Sequence, residues 1–205
     1  MIITWIIILI TASVSIPAFR NAELFSNLRF NPEIILSRKQ WYRFFTYGLL
    51  HADWVHLGVN MFVLYSFGEA VEKAMTYYFA SKGGLYFVML YIGGIALSVV
   101  PAFEKHKHDI WYNAVGASGA VSAVLFSSII FYPTSKLMLF LIPVPFPAVL
   151  FGILYLVYSA YMAKRATDNI GHDAHFWGAL FGAVFTIILK PELALLFIQQ
   201  LAHIF

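Results

Sequence analysis

Long apolar runs separated by short polar breaks dominate this chain. A transmembrane helix needs roughly 20 mostly apolar residues. Six stretches approach that length: 2–19, 54–71, 84–101, 118–132, 146–163 and 174–189. The breaks are marked. Lys105, His106, Lys107, His108 and Asp109 form one, Tyr132, Pro133, Thr134, Ser135 and Lys136 a second, and Lys164, Arg165, Asp168 and Asn169 a third. Strands of a membrane barrel would alternate apolar and polar positions. Residues 148–157 do not alternate.

Two segments do not span. Residues 20–50 carry Arg20, Arg29, Arg38, Lys39 and Arg43 beside Trp41, Tyr42, Phe44 and Phe45. That mixture predicts a partly ordered loop on the bilayer surface. The tail 191–205 is apolar but too short to cross, and Pro191-Glu192 suits a helix start. A short interfacial helix is expected there. The first run has a stretch of small residues at 13–18 but lacks the basic segment that opens a signal peptide, so it is predicted to be a retained helix. The expectation is one all-α membrane domain, 1–205: a six-helix bundle with a long structured first loop and a short C-terminal interfacial helix.

Composition agrees. Hydrophobic residues make up 61% and charged residues 11%, against about 25% charged in a soluble domain. A soluble globular enzyme and a disordered chain are both excluded. With no cysteine, so are a disulfide-stapled module and a thiolate metal site. The net charge of +3 is spread out and marks no nucleic-acid surface.

Polar groups inside spans are costly and are functional candidates by default. Spans two, four and six all start on the same side. The fourth run, 118–132, makes only about 22 Å of helix against a hydrocarbon layer of about 30 Å. Ser118 is therefore expected to start its helix some 8 Å below the surface, by roughly the same arithmetic. Residues 110–117 would then enter the membrane as non-helical chain, which needs protein or water around it. His175 lies about 6 Å down the sixth span, and His56 and Asn60 roughly 5 to 10 Å down the second. His56 and Asn60 are four apart and share a helix face. Each residue alone has an ordinary reading: a packed histidine, a serine bonded to its own helix, an asparagine joining helices. Their common depth points to a site.

A serine becomes a useful nucleophile beside a neutral histidine. Attack on a carbonyl also needs donors for the oxyanion. The amide of Ser118, at a helix start, is one; His56 and Asn60 supply others. No carboxylate is placed to orient His175: Asp173 is two residues away, and Glu69 and Glu72 lie at the far end of their span. The set reads as a Ser-His dyad. Gly178 and Gly182 fall on the His175 face as a GxxxG pair, opposite the small pair Gly119 and Ala123, and would let the two helices approach closely. Gly116-Ala117-Ser118-Gly119 is not the α/β-hydrolase elbow, because Ala120 stands where glycine is needed.

These motifs resemble the rhomboid intramembrane serine proteases, from about Trp41 to Gly182. Gly116-Ala117-Ser118-Gly119 is similar to their GxSG motif. His175 with Gly178 and Gly182 is similar to their HxxGxxxG motif. His51, His56 and Asn60 are similar to HxxxxHxxxN. The resemblance implies Ser118 as nucleophile, His175 as base, and the Ser118 amide, His56 and Asn60 as oxyanion hole. It implies a supporting role for His51 and no metal or cofactor. Partners would be transmembrane substrates, unwound to expose their carbonyls, with membrane lipid around them. The fifth span and the loop above it would form a lateral gate. The location implied is a bacterial inner membrane, with the site on the extracytoplasmic side. The first loop departs from the usual Trp-Arg pair, having Tyr42 between Trp41 and Arg43. Some members place a tyrosine four residues after the nucleophile, stacked on the catalytic histidine; here that position is Ser122.

The implied topology opposes the positive-inside rule. Arg20, Arg29, Arg38, Lys39, Arg43, Lys105, Lys107, Lys164 and Arg165 fall outside, and Lys73, Lys82, Lys136 and Lys190 inside. Three other functions stand beside proteolysis. One is an inactive relative that binds and routes membrane proteins. Another is a metal-dependent membrane protein using His51, His56, His172, Asp173 and His175. The third is a channel.

Overall fold

A computed structural model describes residues 2–139, 142–165 and 170–202, without the side chains of 138, 139 and 142–144. Asp168 and Asn169 of the third polar break lie outside the described residues.

The chain is mostly helical. Its elements are α1 (Ile2–Ala18), α2 (Ala22–Leu28), α3 (Pro32–Arg38), α4 (Arg43–Thr46), α5 (Trp54–Phe79), α6 (Gly83–Ser98) and α7 (Val100–His106), followed by α8 (Ser118–Phe131), a hairpin of β1 (Lys136–Leu139) and β2 (Ile142–Pro147), α9 (Ala148–Arg165), α10 (His172–Leu189) and α11 (Glu192–Leu201).

Burial runs opposite to that of a water-soluble helix. The buried residues of α1 are Thr4, Thr11, Ser15 and Ala18. Its outer face shows Ile2, Trp5, Ile6, Leu9 and Ile10. Exposed apolar residues continue on α5 (Val55, Val59, Phe62), α9 (Ile153, Leu154, Val157) and α10 (Val184, Ile188). An apolar belt of this extent marks a surface that meets lipid. Thr4 of α1 is paired inward. Glu72 accepts the Ile3 and Thr4 amides, both at 3.1 Å, and the Thr4 hydroxyl at 2.8 Å, so a carboxylate on α5 satisfies the start of α1.

α8 is the centre. Every residue after Ser118 is buried, as befits a helix that is apolar all round. Small residues set its neighbours. A Cβ on Gly94 of α6 would lie 2.8 Å from Ala120 Cα, and one on Gly182 of α10 would lie 2.5 Å from Ala123 Cα. Thr186 and Ser127 add a hydroxyl pair at 2.7 Å between α10 and α8.

Three expectations need correction. The fold is not wholly helical, because β1 and β2 pair antiparallel, with Lys136 opposite Pro147 and Leu137 opposite Phe146. The fifth helix therefore starts at Ala148 rather than 146. The second helix runs on to Phe79, beyond the 54–71 expected, because Glu72 is occupied by α1 and Glu69 pairs with Lys73 at 4.0 Å. The third ends at Ser98, and Pro101 sits in the first turn of α7, a position where its missing N–H costs nothing.

By length and composition, two helical runs can cross a membrane, Trp54–His106 and His172–Leu189. The first includes α5 and α6, which fold back on each other through Ala80 at φ 49°. α1 and α8 are shorter apolar helices. The first loop carries α2, α3 and α4. Arg43 is buried and donates to Gln40 Oε1 at 2.7 Å, the Ser26 carbonyl at 2.8 Å and the Arg29 carbonyl at 2.7 Å. Withdrawal from water lowers its pKa.

Candidate active site

Ser118 is the first residue of α8, and the chain before it, 107–117, is not helical. That irregular backbone is held from the first loop. Phe30 and Ala114 exchange both backbone hydrogen bonds at 3.0 Å. The buried Asn31 amide donates to the Ile110 carbonyl at 2.8 Å, the Tyr112 carbonyl at 3.0 Å and Asn113 Oδ1 at 3.1 Å. Closer to the serine, the Gly116 amide donates to the Tyr47 carbonyl at 3.0 Å. Tyr47 is itself pinned, its hydroxyl donating to the Ile95 carbonyl of α6 at 2.7 Å. The arginine-rich loop thus sits on the same side as Ser118, and Arg43 is spent on its carbonyls.

Gly116 is required by geometry. Its φ is +121°, and a Cβ there would lie 2.7 Å from His56 Cε1. Ala117, the residue at the helix start, makes no side-chain cap. The first amides of a helix have no partner within it, so that of Ser118 is left without an intrahelical partner and carries partial positive charge.

The three residues matched to HxxxxHxxxN converge here. His51 is fully buried. Ser15 Oγ donates to the Leu49 carbonyl at 2.6 Å, which leaves it to accept from His51 Nδ1 at 2.9 Å. His51 Nε2 then accepts the Ala117 amide at 3.5 Å. The tautomer follows from these partners. His51 is a neutral prop for the residue before Ser118. Burial, and then the nearby His56, pushes its pKa down to about 3. His56 rests edge-on against it, with ring centroids 4.9 Å apart. His56 Nδ1 accepts the Ala52 amide at 3.3 Å, so the ring's proton is on Nε2, the nitrogen nearer Gly116. Asn60, one turn further in, is buried and donates to the His56 carbonyl at 2.9 Å. That uses one of its two N–H groups.

α10 brings His175. A Cβ on Gly178 would fall 2.9 Å from Gly119 Cα, and one on Gly119 would fall 3.4 Å from the Ala174 carbonyl oxygen. The residues adjoining Ser118 and His175 are therefore in backbone contact. Ser118 and His175 are both half-buried. His175 stacks on Tyr155 of α9, with centroids 6.1 Å apart and planes 26° apart, and meets His172 edge-on at 5.9 Å. One tyrosine in an apolar helix carries no spacing signal, so the sequence alone does not mark Tyr155. No group of three His, Cys, Asp or Glu side chains is gathered as metal ligands among the described residues. The metal-site alternative thus lacks an assembled ligand set there.

Comparison with known proteins gives a consistent answer. The Rhomboid domain family model matches residues 38–192. Rhomboid-like protein 11, chloroplastic, of Arabidopsis thaliana is 30% identical over 164 residues, covering 73% of this chain and 53% of that protein. Rhomboid protein 1, mitochondrial, of Saccharomyces cerevisiae is 26% identical over 145 residues, 66% of this chain and 38% of that protein. Rhomboid protease GluP of Bacillus subtilis is 26% identical over 149 residues, 73% of this chain and 27% of that protein. The chain spans from about a quarter to about half the length of these relatives. The names of two of them point to chloroplasts and mitochondria, which gives the expected bacterial inner membrane no support; membrane residence is what the family carries. The match covers most of the chain and includes Gly116, Ser118, His175 and the His51-His56-Asn60 set, and the chain belongs to the rhomboid family.

Proposed function

We propose that this chain is an intramembrane serine endopeptidase that cuts transmembrane segments of other membrane proteins. The observation that carries the reading is the backbone contact of α8 and α10 at Gly119 and Gly178, one residue after Ser118 and three after His175. In this reading the domain crosses the membrane six times, through α1, α5, α6, α8, α9 and α10. α8 is the short one, because its start lies inside the membrane.

Ser118 Oγ attacks the substrate carbonyl carbon and His175 takes its proton. The carbonyl oxygen becomes an oxyanion facing the Ser118 amide, His56 Nε2–H and the second N–H of Asn60. Collapse breaks the C–N bond, His175 protonates the leaving amine, and Ser118 holds the acyl group. Water, deprotonated by His175, then releases the carboxylate and restores the serine. A helical substrate hides its carbonyls in its own hydrogen bonds, so a segment must unwind first. No step calls on a cofactor or metal.

The test is a reporter transmembrane segment reconstituted with the protein in vesicles. Cleavage by wild type, lost in Ser118→Ala and in His175→Ala, supports the reading. No cleavage by folded wild type across a panel of segments points instead to an inactive relative that binds membrane proteins.

A further inference from the structure

We propose that Tyr155 on α9 is the positioning residue of His175, holding the imidazole plane from α9 rather than from the nucleophile's own helix. The inference rests on the protease reading above.

An imidazole turns easily about its terminal torsion, which is broad and roughly two-fold. A general base must hold its nitrogen within hydrogen-bond reach of the proton it takes. Asp173 is two residues from His175 on the same helix, so it does not share its face. Tyr155 supplies a flat wall instead. Its planes are 26° from those of His175 at 6.1 Å, within the range of an aromatic contact. The near-parallel contact favours this orientation of the imidazole plane over others.

Tyr155 is fixed in turn. Its hydroxyl lies 2.6 Å from Ser122 Oγ, and Ser122 is one turn along α8 from Ser118, on the same face. Its ring packs on Phe126 of α8 at 5.7 Å and on Phe151 of α9 at 5.8 Å. Ser122 carries no ring, so the hydroxyl pair lets a residue of α9 act where α8 has only a hydroxymethyl group. α9 also places Tyr158 edge-on to His172 at 5.5 Å. The imidazoles of α10 thus lean on α9, a helix whose own buried residues are only Ala148, Gly152 and Ser159 among those described.

The test measures the rate of Ser118 labelling by a fluorophosphonate, at saturating probe, in the full chain. Tyr155→Leu should lower that rate roughly 10- to 100-fold, the scale of a misplaced general base. Tyr155→Phe keeps the ring and its packing on Phe126 and Phe151 but loses the Ser122 partner, and should label at a rate between those of wild type and the Leu variant. In the reporter assay the Leu variant should lose kcat with KM unchanged. If the Leu variant fails to fold, Tyr155→Met fills similar space without a flat ring and should give the same loss. A folded Leu or Met variant labelled at the wild-type rate overturns the proposal, and so does a Phe variant as slow as the Leu variant. Wild type that takes no label overturns the protease reading itself, and this inference with it.

Discussion

Gly178 sits on the backbone of Gly119: a methyl group added to Gly178 would meet the Gly119 carbonyl and lie 2.9 Å from its Cα. Backbone cannot move aside as a flexible side chain can. Gly178→Ala should therefore force α10 off α8, costing about 1–3 kcal/mol or more as overpacking and parting the residues beside Ser118 and His175. Gly58 is the internal control, because a Cβ there meets nothing within 4 Å. Thermal unfolding in detergent should show a clear drop for Gly178→Ala and none for Gly58→Ala. Equal stability of the two variants would contradict the packing described.

His51 gives a pH dependence with a definite sign. Its folded pKa is lowered to about 3 from an ordinary 6.5. The unfolded chain takes a proton as pH falls below about 6.5, while the folded chain resists until near 3. The stabilisation is fully present above that window and is lost on acidification through it. A proton added to Nε2 would also face the Ala117 N–H that this nitrogen now accepts. The unfolding midpoint should fall between pH 7 and 4, and His51→Gln should flatten the slope. An unchanged slope in the variant would assign the acid sensitivity elsewhere.

Much of the site is legible in the sequence because helix spacing encodes faces. His175, Gly178 and Gly182 share one, as do His56 and Asn60, and the short run after Ser118 marks a helix that starts late. What was not legible depends on pairs far apart in the chain. Tyr155 reaches Ser122 across 33 positions and Glu72 reaches Thr4 across 68. Asn31 finds its carbonyls about 80 residues on, and the first loop has no period to betray such contacts. The end of α5 is not legible, because Glu69, Glu72 and Lys73 look like a polar terminus when their partners are unknown. The hairpin before α9 was missed because its prolines and apolar residues read as the start of a span.

Arg43 tests whether the first loop is a built scaffold. Its three hydrogen bonds go to Gln40, Ser26 and Arg29. A lysine cannot reproduce the guanidinium fork. Arg43→Lys should lose roughly 1.5–3 kcal/mol for each charge-assisted bond that goes unmade. The loop should then be cut faster in limited proteolysis, at sites within residues 20–50. Unaltered protease resistance would mean that other contacts, such as the Phe30–Ala114 bridge, hold the loop alone.

Proteolysis in the proposed reading depends on activation of Ser118 by His175. The most direct measurement is peptide mapping by mass spectrometry after fluorophosphonate treatment of the folded protein. A single adduct on Ser118 is expected, absent in Ser118→Ala and strongly slowed in His175→Ala. A folded wild-type protein without that adduct, or one labelled at full rate when His175 is replaced, would contradict it.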